Sequence, residues 1–190
     1  MGTLRMPALE TERLVIRPFI EADLEACHEL LDREGGEGRS REARKHWLDW
    51  TMASYEELDS LHQPPYGDRA IVRKGEPRRR VIGACGLAPC LLPLARLIDP
   101  NASPPNEGYM PEVGLYYALS SAQRGQGYAT EVARALADWA LRELHLARIV
   151  ATTTYDNGPS QRVMERIGMR LTRNPRPDPS WLQVVGILVS

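Results

Sequence analysis

The stretch from Glu112 to Leu144 constrains this chain more than any other. An extended apolar and aromatic run, Glu112 to Leu119, leads into Arg124-Gly125-Gln126-Gly127-Tyr128-Ala129-Thr130-Glu131. Beyond it, Ala129, Val132, Ala133, Leu136, Ala137, Ala140, Leu141 and Leu144 recur at helical spacing. The pattern predicts a strand, a glycine-punctuated turn, and a helix over 127–144. A helix start is an anion site, because its first amides lack internal partners and its dipole favours negative charge. Two glycines let the backbone curl around a phosphate without Cβ collisions. A pyrophosphate-bearing cofactor is the expected occupant, although the same glycines could serve a tight turn alone.

The details narrow the choice of cofactor. A Walker A loop ends in Gly-Lys-Ser/Thr, which this segment lacks. A dinucleotide fingerprint needs a third glycine where Thr130 stands, inside a βαβ unit that is not legible here. The string does match Arg/Gln-x-x-Gly-x-Gly/Ala, with Arg124, Gly127 and Ala129 at the fixed positions. In this the chain resembles the GNAT superfamily, the acetyl-CoA-dependent N-acetyltransferases. Downstream, Asn157-Gly-Pro-Ser160 followed by a helix ending at Gly168-Met169 resembles the family's second cofactor motif. Elementary helix chemistry agrees, with Asn157 as cap, Pro159 in the first turn and Gly168 at the C-terminal left-handed position. Near the start, Leu9-Glu-Thr-Glu-Arg-Leu-Val-Ile-Arg17-Pro-Phe and the helix from Glu21 resemble the branch of the ribosomal-protein N-terminal acetyltransferases, the Rim type.

The remaining elements follow from periodicity and turn chemistry. Residues 10–17 read as a strand, 21–31 as a helix, and Gly35-Gly36-Glu37-Gly38 as a connection. Ser40 to Leu61 reads as a helix whose Trp47, Leu48, Trp50, Met52, Tyr55 and Leu58 supply a broad apolar surface. Residues 68–73 and 80–87 read as strands joined by Lys74-Gly75-Glu76-Pro77, with Arg78, Arg79 and Arg80 as a solvated edge or an anion-steering patch. The proline-rich stretch 91–110 is expected as a loop, 148–154 as a strand, 159–167 as a helix, and 169–173 and 181–189 as strands. The expected fold is α/β (α+β), with helices flanking a mixed sheet in a single domain, residues 1–190. The resemblance sharpens this to a mostly antiparallel sheet of about seven strands, splayed between the fourth and fifth.

Composition sets outer limits. Net charge is −1, which gives no reason to expect nucleic acid or an anionic membrane as partner. With 43% hydrophobic and 26% charged residues, the chain reads as an ordinary soluble globule, and a cytoplasmic location is expected. Neither a signal-peptide core nor a run of twenty apolar residues is present. Cys27, Cys85 and Cys90 read as buried thiols rather than a disulfide frame, a zinc site or an acyl-carrying nucleophile.

The resemblance implies roles for particular residues. Acetyl-CoA would be the co-substrate, without a metal. Arg124, Gly125, Gln126, Gly127, Tyr128, Ala129 and Thr130 would hold its pyrophosphate. Tyr117, Ala118 and Leu119 would offer strand-edge groups to the pantetheine arm, and Asn157 would bond the same arm. An amine would attack the thioester directly. Many relatives protonate the leaving thiolate with a tyrosine seven residues after the motif's asparagine; here that position is Met164. Ser160, matching the Rim-type serine, is the alternative donor, with Tyr116 and Tyr117 behind it. Glu112 is the candidate base or simply a surface carboxylate. Strand alternation puts Glu112, Gly114, Tyr116 and Ala118 on one face and Val113, Leu115, Tyr117 and Leu119 on the other. A base matters less for some acceptors: deprotonating an α-amine at pH 7 costs about 1.4 kcal/mol, against about 4.6 for a lysine-like amine.

The resemblance implies a primary amine as acceptor, either a protein or peptide N-terminus or a small molecule such as an amino-sugar antibiotic. Glu21, Asp23, Glu25, Asp32, Glu34 and Glu37 could form an acidic acceptor groove or a solvated face. The rival from another class is an acyl-CoA-binding regulatory module without catalysis. The assembly, monomer or homodimer, is left open.

Overall fold

The computed structural model describes residues 5–76, 80–93 and 109–190. The fold is a mixed, mostly antiparallel sheet of eight strands with four α-helices among the described residues. The chain divides into two compact units, Met1–Leu87 with Tyr116–Leu136 and Ala88–Leu115 with Ala137–Ser190.

The first unit begins with β1 (Leu9–Glu10) and β2 (Leu14–Arg17), where the sequence predicts one strand. Thr11 interrupts it: its N–H donates to Leu14 O and its hydroxyl accepts from Leu14 N–H, turning the chain. This turn accounts for the eighth strand. Antiparallel β2, β3 (Gly67–Arg73) and β4 (Val81–Leu92) follow in register, with an irregularity between Ile71 and Val72. The strand order in this unit is β1-β2-β3-β4-β5. Here β4 runs through Leu92, longer than predicted; the rest of the predicted proline-rich loop, 94–108, and the turn residues Pro77, Arg78 and Arg79 lie outside the described residues.

The first predicted helix is composite. A single 3-10 turn at Glu21–Asp23 precedes α1 (Leu24–Cys27), which widens into a π-helical stretch, His28–Glu34. Its last bond, Gly35 N–H to Leu30 O at 2.9 Å, spans five residues. Ser40 caps α2 (Arg41–Ser60) by accepting from Ala43 N–H at 3.2 Å. One stripe of α2, Arg44, Leu48 and Thr51, is buried at a three-to-four residue spacing. Trp50 falls off that stripe and is 61% exposed, which corrects its place in the predicted apolar surface. The core of this unit joins Phe19, Leu24, Cys27, Leu30 and Leu48 to Ala70, Val72, Val81 and Ala84.

The second unit has its own core of Leu92, Val150, Leu182, Val185 and Ile187. Its strand order is β4-β5-β6-β8-β7. Here β6 (Arg148–Thr153) and β8 (Val184–Val189) pair over six residues each. By contrast β5 (Met110–Leu119) and β6 pair in parallel at one register pair, Gly114 opposite Val150, as a splayed pair does. Trp181 and Leu182, predicted as the start of a strand, instead belong to a 3-10 turn, Ser180–Leu182, before β8, closed by Leu182 N–H to Pro179 O at 2.9 Å. β7 (Arg170–Arg173) completes the edge. Helices α3 (Tyr128–Glu143) and α4 (Gly158–Arg166) lie within a residue of their predicted bounds. Val132, Ala133, Leu136, Ala137 and Ala140 of α3 are fully buried, the face that the spacing predicts.

Candidate functional site

The glycine turn is built as its sequence requires. Gly125 and Gly127 both adopt left-handed backbone, φ 75° and 82°, which other residues resist. The first bond of α3 runs from Glu131 N–H to Gly127 O at 3.1 Å. The amides of Tyr128, Ala129 and Thr130 therefore stand outside the helical ladder. Thr130 Oγ1 is buried and has no hydrogen-bond partner among the described residues. Unladdered amides at a helix start, an unmatched hydroxyl and two side-chain-free positions suit a diphosphate.

Arg13 shapes this turn, and sequence reasoning passed over it. Its Nη1 donates to Gln126 O at 3.0 Å, and its guanidinium lies 4.6 Å over the Tyr128 ring. A Cβ on Gly127 would sit 3.4 Å from Arg13 Nη2. Glu131 holds Arg13 through its Nε (2.8 Å) and main-chain N–H (2.9 Å), and also accepts from the Thr11 hydroxyl. Burial alone would raise the Glu131 carboxyl, but these hydrogen bonds outweigh it and hold the group below its ordinary value. The acidic residue in the first turn of α3 is thus neutralised rather than aimed at an incoming anion.

The flanking residues are engaged with the turn. Arg124 Nε donates to Leu119 O at 3.1 Å, so one lone pair of that carbonyl is already used. Gln126 Nε2 donates to Ala122 O at 3.2 Å. Leu119 is buried and Tyr117 half-buried, on the face that alternation assigns them with Val113 and Leu115.

Three predicted residues lie in the second unit. Glu112 is buried, and both of its carboxylate oxygens accept from Arg148, at 2.9 and 2.8 Å to Nε and by a further contact to Nη2. A base must have a free lone pair near its substrate. This carboxylate instead ties β5 to β6, and a strut is the role its geometry favours. Asn157 Oδ1 accepts from Ser160 N–H at 3.2 Å and so caps α4. Met164, at the family's usual tyrosine position, is buried.

Most of the acidic residues near α1 are paired. Asp23 binds Arg17 at 2.7 and 2.8 Å, Glu25 binds Arg41, and Asp32 and Glu37 both bind buried Arg44. These pairs brace the helices, and where Asp23, Glu25 and Glu29 border an open cavity, Arg17, Arg33 and Arg80 line it with them and offset their charge. Cys27 and Cys85 are buried; burial pushes the Cys27 thiol up to about 12 and the Cys85 thiol further in the same direction. Neither suits a nucleophile near neutral pH. No helix among the described residues is long and apolar enough to cross a membrane.

A glycine turn at the start of α3, fed by a strand of a mixed sheet flanked by helices, defines an α/β fold with a helix start open to an anion. Residues 13–170 match the model of the acetyltransferase (GNAT) domain, and the chain belongs to that family. It is similar to YjdG of Bacillus subtilis (strain 168), described as an uncharacterized N-acetyltransferase, at 34% identity over 80 residues. That match covers 42% of this chain and spans about half, 46%, of the relative's length. Among solved structures, an acetyltransferase from Agrobacterium tumefaciens str. C58 superposes with a TM-score of 0.68 at 26% identity, covering 97% of this chain and 95% of the other. A ribosomal L7/L12 alpha-N-protein acetyltransferase, RimL, in complex with coenzyme A shares the fold, with a TM-score of 0.64, 14% identity, and 94% and 95% coverage.

Proposed function

We propose that this protein transfers an acetyl group from acetyl-CoA to a primary amine by direct attack in a ternary complex. The observation that carries the reading is the turn at Gly125–Gly127, with its left-handed glycines, its unladdered amides and the unmatched Thr130 hydroxyl. Amides from Gln126 to Thr130 would hold the cofactor's diphosphate, and the Tyr117–Leu119 segment and Asn157 would bind its pantetheine arm. The bound cofactor supplies the activated acetyl group as a thioester. Ser160 is the proposed proton source for the departing thiolate, since buried Met164 has no proton to give. With Glu112 held by Arg148, an amine that deprotonates at low cost needs no dedicated base. A peptide or protein α-amine of the Rim type and a small amine are both served by this chemistry.

Release of free CoA thiol from acetyl-CoA, measured across peptides and small amines, tests the assignment. Turnover with an amine is the expected result; acetyl-CoA binding without turnover on any amine would make the protein a binding module instead. Ser160→Ala should lower kcat by about 100- to 10,000-fold while acetyl-CoA affinity holds. Equal activity would remove Ser160 from the mechanism.

A further inference from the structure

Asp68 is a half-buried carboxylate that the mechanism above leaves unused. On β3 it lies opposite Gly86 of β4. Tyr116, on β5, packs over that glycine: a Cβ built at Gly86 would fall 2.5 Å from Tyr116 Oη and 2.1 Å from Gly67 O. Because the middle strand has no side chain there, the Tyr116 hydroxyl reaches across it and hydrogen-bonds the Asp68 carboxylate. The pair lies on the sheet face of Ala70 and Val72, which packs against α1 and α2.

The surroundings of Asp68 do not neutralise it. Burial raises its carboxyl above the ordinary value despite the Tyr116 hydrogen bond; Glu37 adds to the rise and Arg44 only partly opposes it. Tyr55 of α2 donates to the main-chain oxygen of Asp68, at 2.5 Å, not to the carboxylate. Cys27 and Cys85, which also feel its charge, are buried thiols held neutral near pH 7. Arg69 turns its guanidinium to the main-chain oxygens of Met6 and Pro7. Asp23, Asp32, Glu112 and Glu131 each bind an arginine. Among the described residues Asp68 has no such ion pair. A carboxylate has about four acceptor sites, and a desolvated one gains more from a cation than an exposed one does.

We infer that Asp68, oriented by Tyr116, is the acceptor subsite's ammonium-binding group, so that the acceptor docks as a primary ammonium cation and releases one proton to solvent before the free amine attacks the thioester. The inference rests on the acetyl-transfer reading and adds the group that receives the amine. Tyr116, which reaches Asp68 across β4, immediately precedes Tyr117–Leu119, the segment proposed for the pantetheine arm.

The test compares acceptors that differ in charge. Wild type, Asp68→Asn and Tyr116→Phe are assayed for CoA release with n-butylamine and a trialanine amide, both cationic near neutral pH, and with hydroxylamine, which is uncharged there. Asp68→Asn should raise KM for the cationic acceptors by about 10- to 100-fold, the worth of a hydrogen bond to a charged group, with kcat within about threefold. Tyr116→Phe should fall between, and neither variant should alter KM for hydroxylamine or the calorimetric Kd for acetyl-CoA. In wild type, KM for butylamine should rise as pH falls through the raised range of this carboxyl, and Asp68→Asn should lose that limb. A raised carboxyl favours the folded state at low pH, a contribution lost as pH rises through its folded value. Asp68→Asn should therefore melt no lower than wild type near neutral pH, which separates a binding role from a structural one. Unchanged KM, or an equal loss with hydroxylamine, overturns the subsite alone. Wild type that binds acetyl-CoA yet acetylates none of the three acceptors overturns the subsite and the acetyl-transfer reading together.

Discussion

Arg13 and Gly127 meet within a few ångströms, and together they decide whether the turn can accept a diphosphate. Arg13 braces the Gln126 carbonyl from one side, while Glu131 fixes Arg13 from the other. Gly127→Asp would put an anion beside Arg13 and force a side chain into left-handed backbone, a strain of about 1–2 kcal/mol. We expect calorimetry to show CoA affinity lowered at least about tenfold, well beyond any loss of melting temperature. Arg13→Ala should raise KM for acetyl-CoA more than it changes kcat, because it loosens the turn without touching the amine; a pure kcat loss would place Arg13 elsewhere in the cycle. At this scale the sequence shows which residues have special backbone, since glycine spacing is local. It does not show partners more than a hundred residues apart, which is why Gly127 is legible and Arg13 is not.

The two N-terminal helical segments depend on a buried charge cluster that no periodicity announces. Arg44 is 1% exposed; it donates to Asp32 at 2.7 and 2.8 Å and to Glu37 at 2.8 Å, and its guanidinium lies 4.6 Å over the Trp47 ring. The Arg44 bonds hold the Asp32 carboxyl well below the usual carboxylate range. Arg44→Met would leave that carboxylate buried without its partner, and chemical denaturation should report a loss of about 3–5 kcal/mol. A depressed carboxyl contributes stability above its unfolded value, near pH 4, and loses it as pH falls further. The wild type should therefore lose stability in that acid range, and Arg44→Met should show a shallower dependence. Element existence is legible because apolar spacing and caps are local signals: Ser40, Asn157 and the two turn glycines mark their elements to within a residue. Element character is less so. The π-helical stretch after Cys27 carries Asp32, which Arg44 holds, and the break in the first strand falls at Thr11, neither of which alters the hydrophobic pattern.

Over the whole molecule, the sequence motifs outline the family and the sheet, because strand, glycine turn and helix are consecutive in the chain. The candidate site is legible where it is made of backbone, and less so where side chains choose among partners. Glu112 illustrates this: a carboxylate at a strand start reads as a base until Arg148, 36 residues on, is found holding it. Asp68 is the converse, an ordinary aspartate in the sequence whose setting depends on Gly86 and Tyr116 in two other strands. A cofactor that binds only the folded chain must stabilise it, by about 2.7 kcal/mol at a hundredfold excess over Kd. Saturating acetyl-CoA should accordingly raise the melting temperature, and inorganic phosphate at equal concentration should do far less.

The central claim is that the amides opening α3 hold the diphosphate of coenzyme A. Backbone amide shifts on titration with CoA test it directly. The account predicts that Gln126, Gly127, Tyr128, Ala129 and Thr130 move most, saturating together at one affinity. Binding that leaves those five amides unmoved while others shift would contradict it.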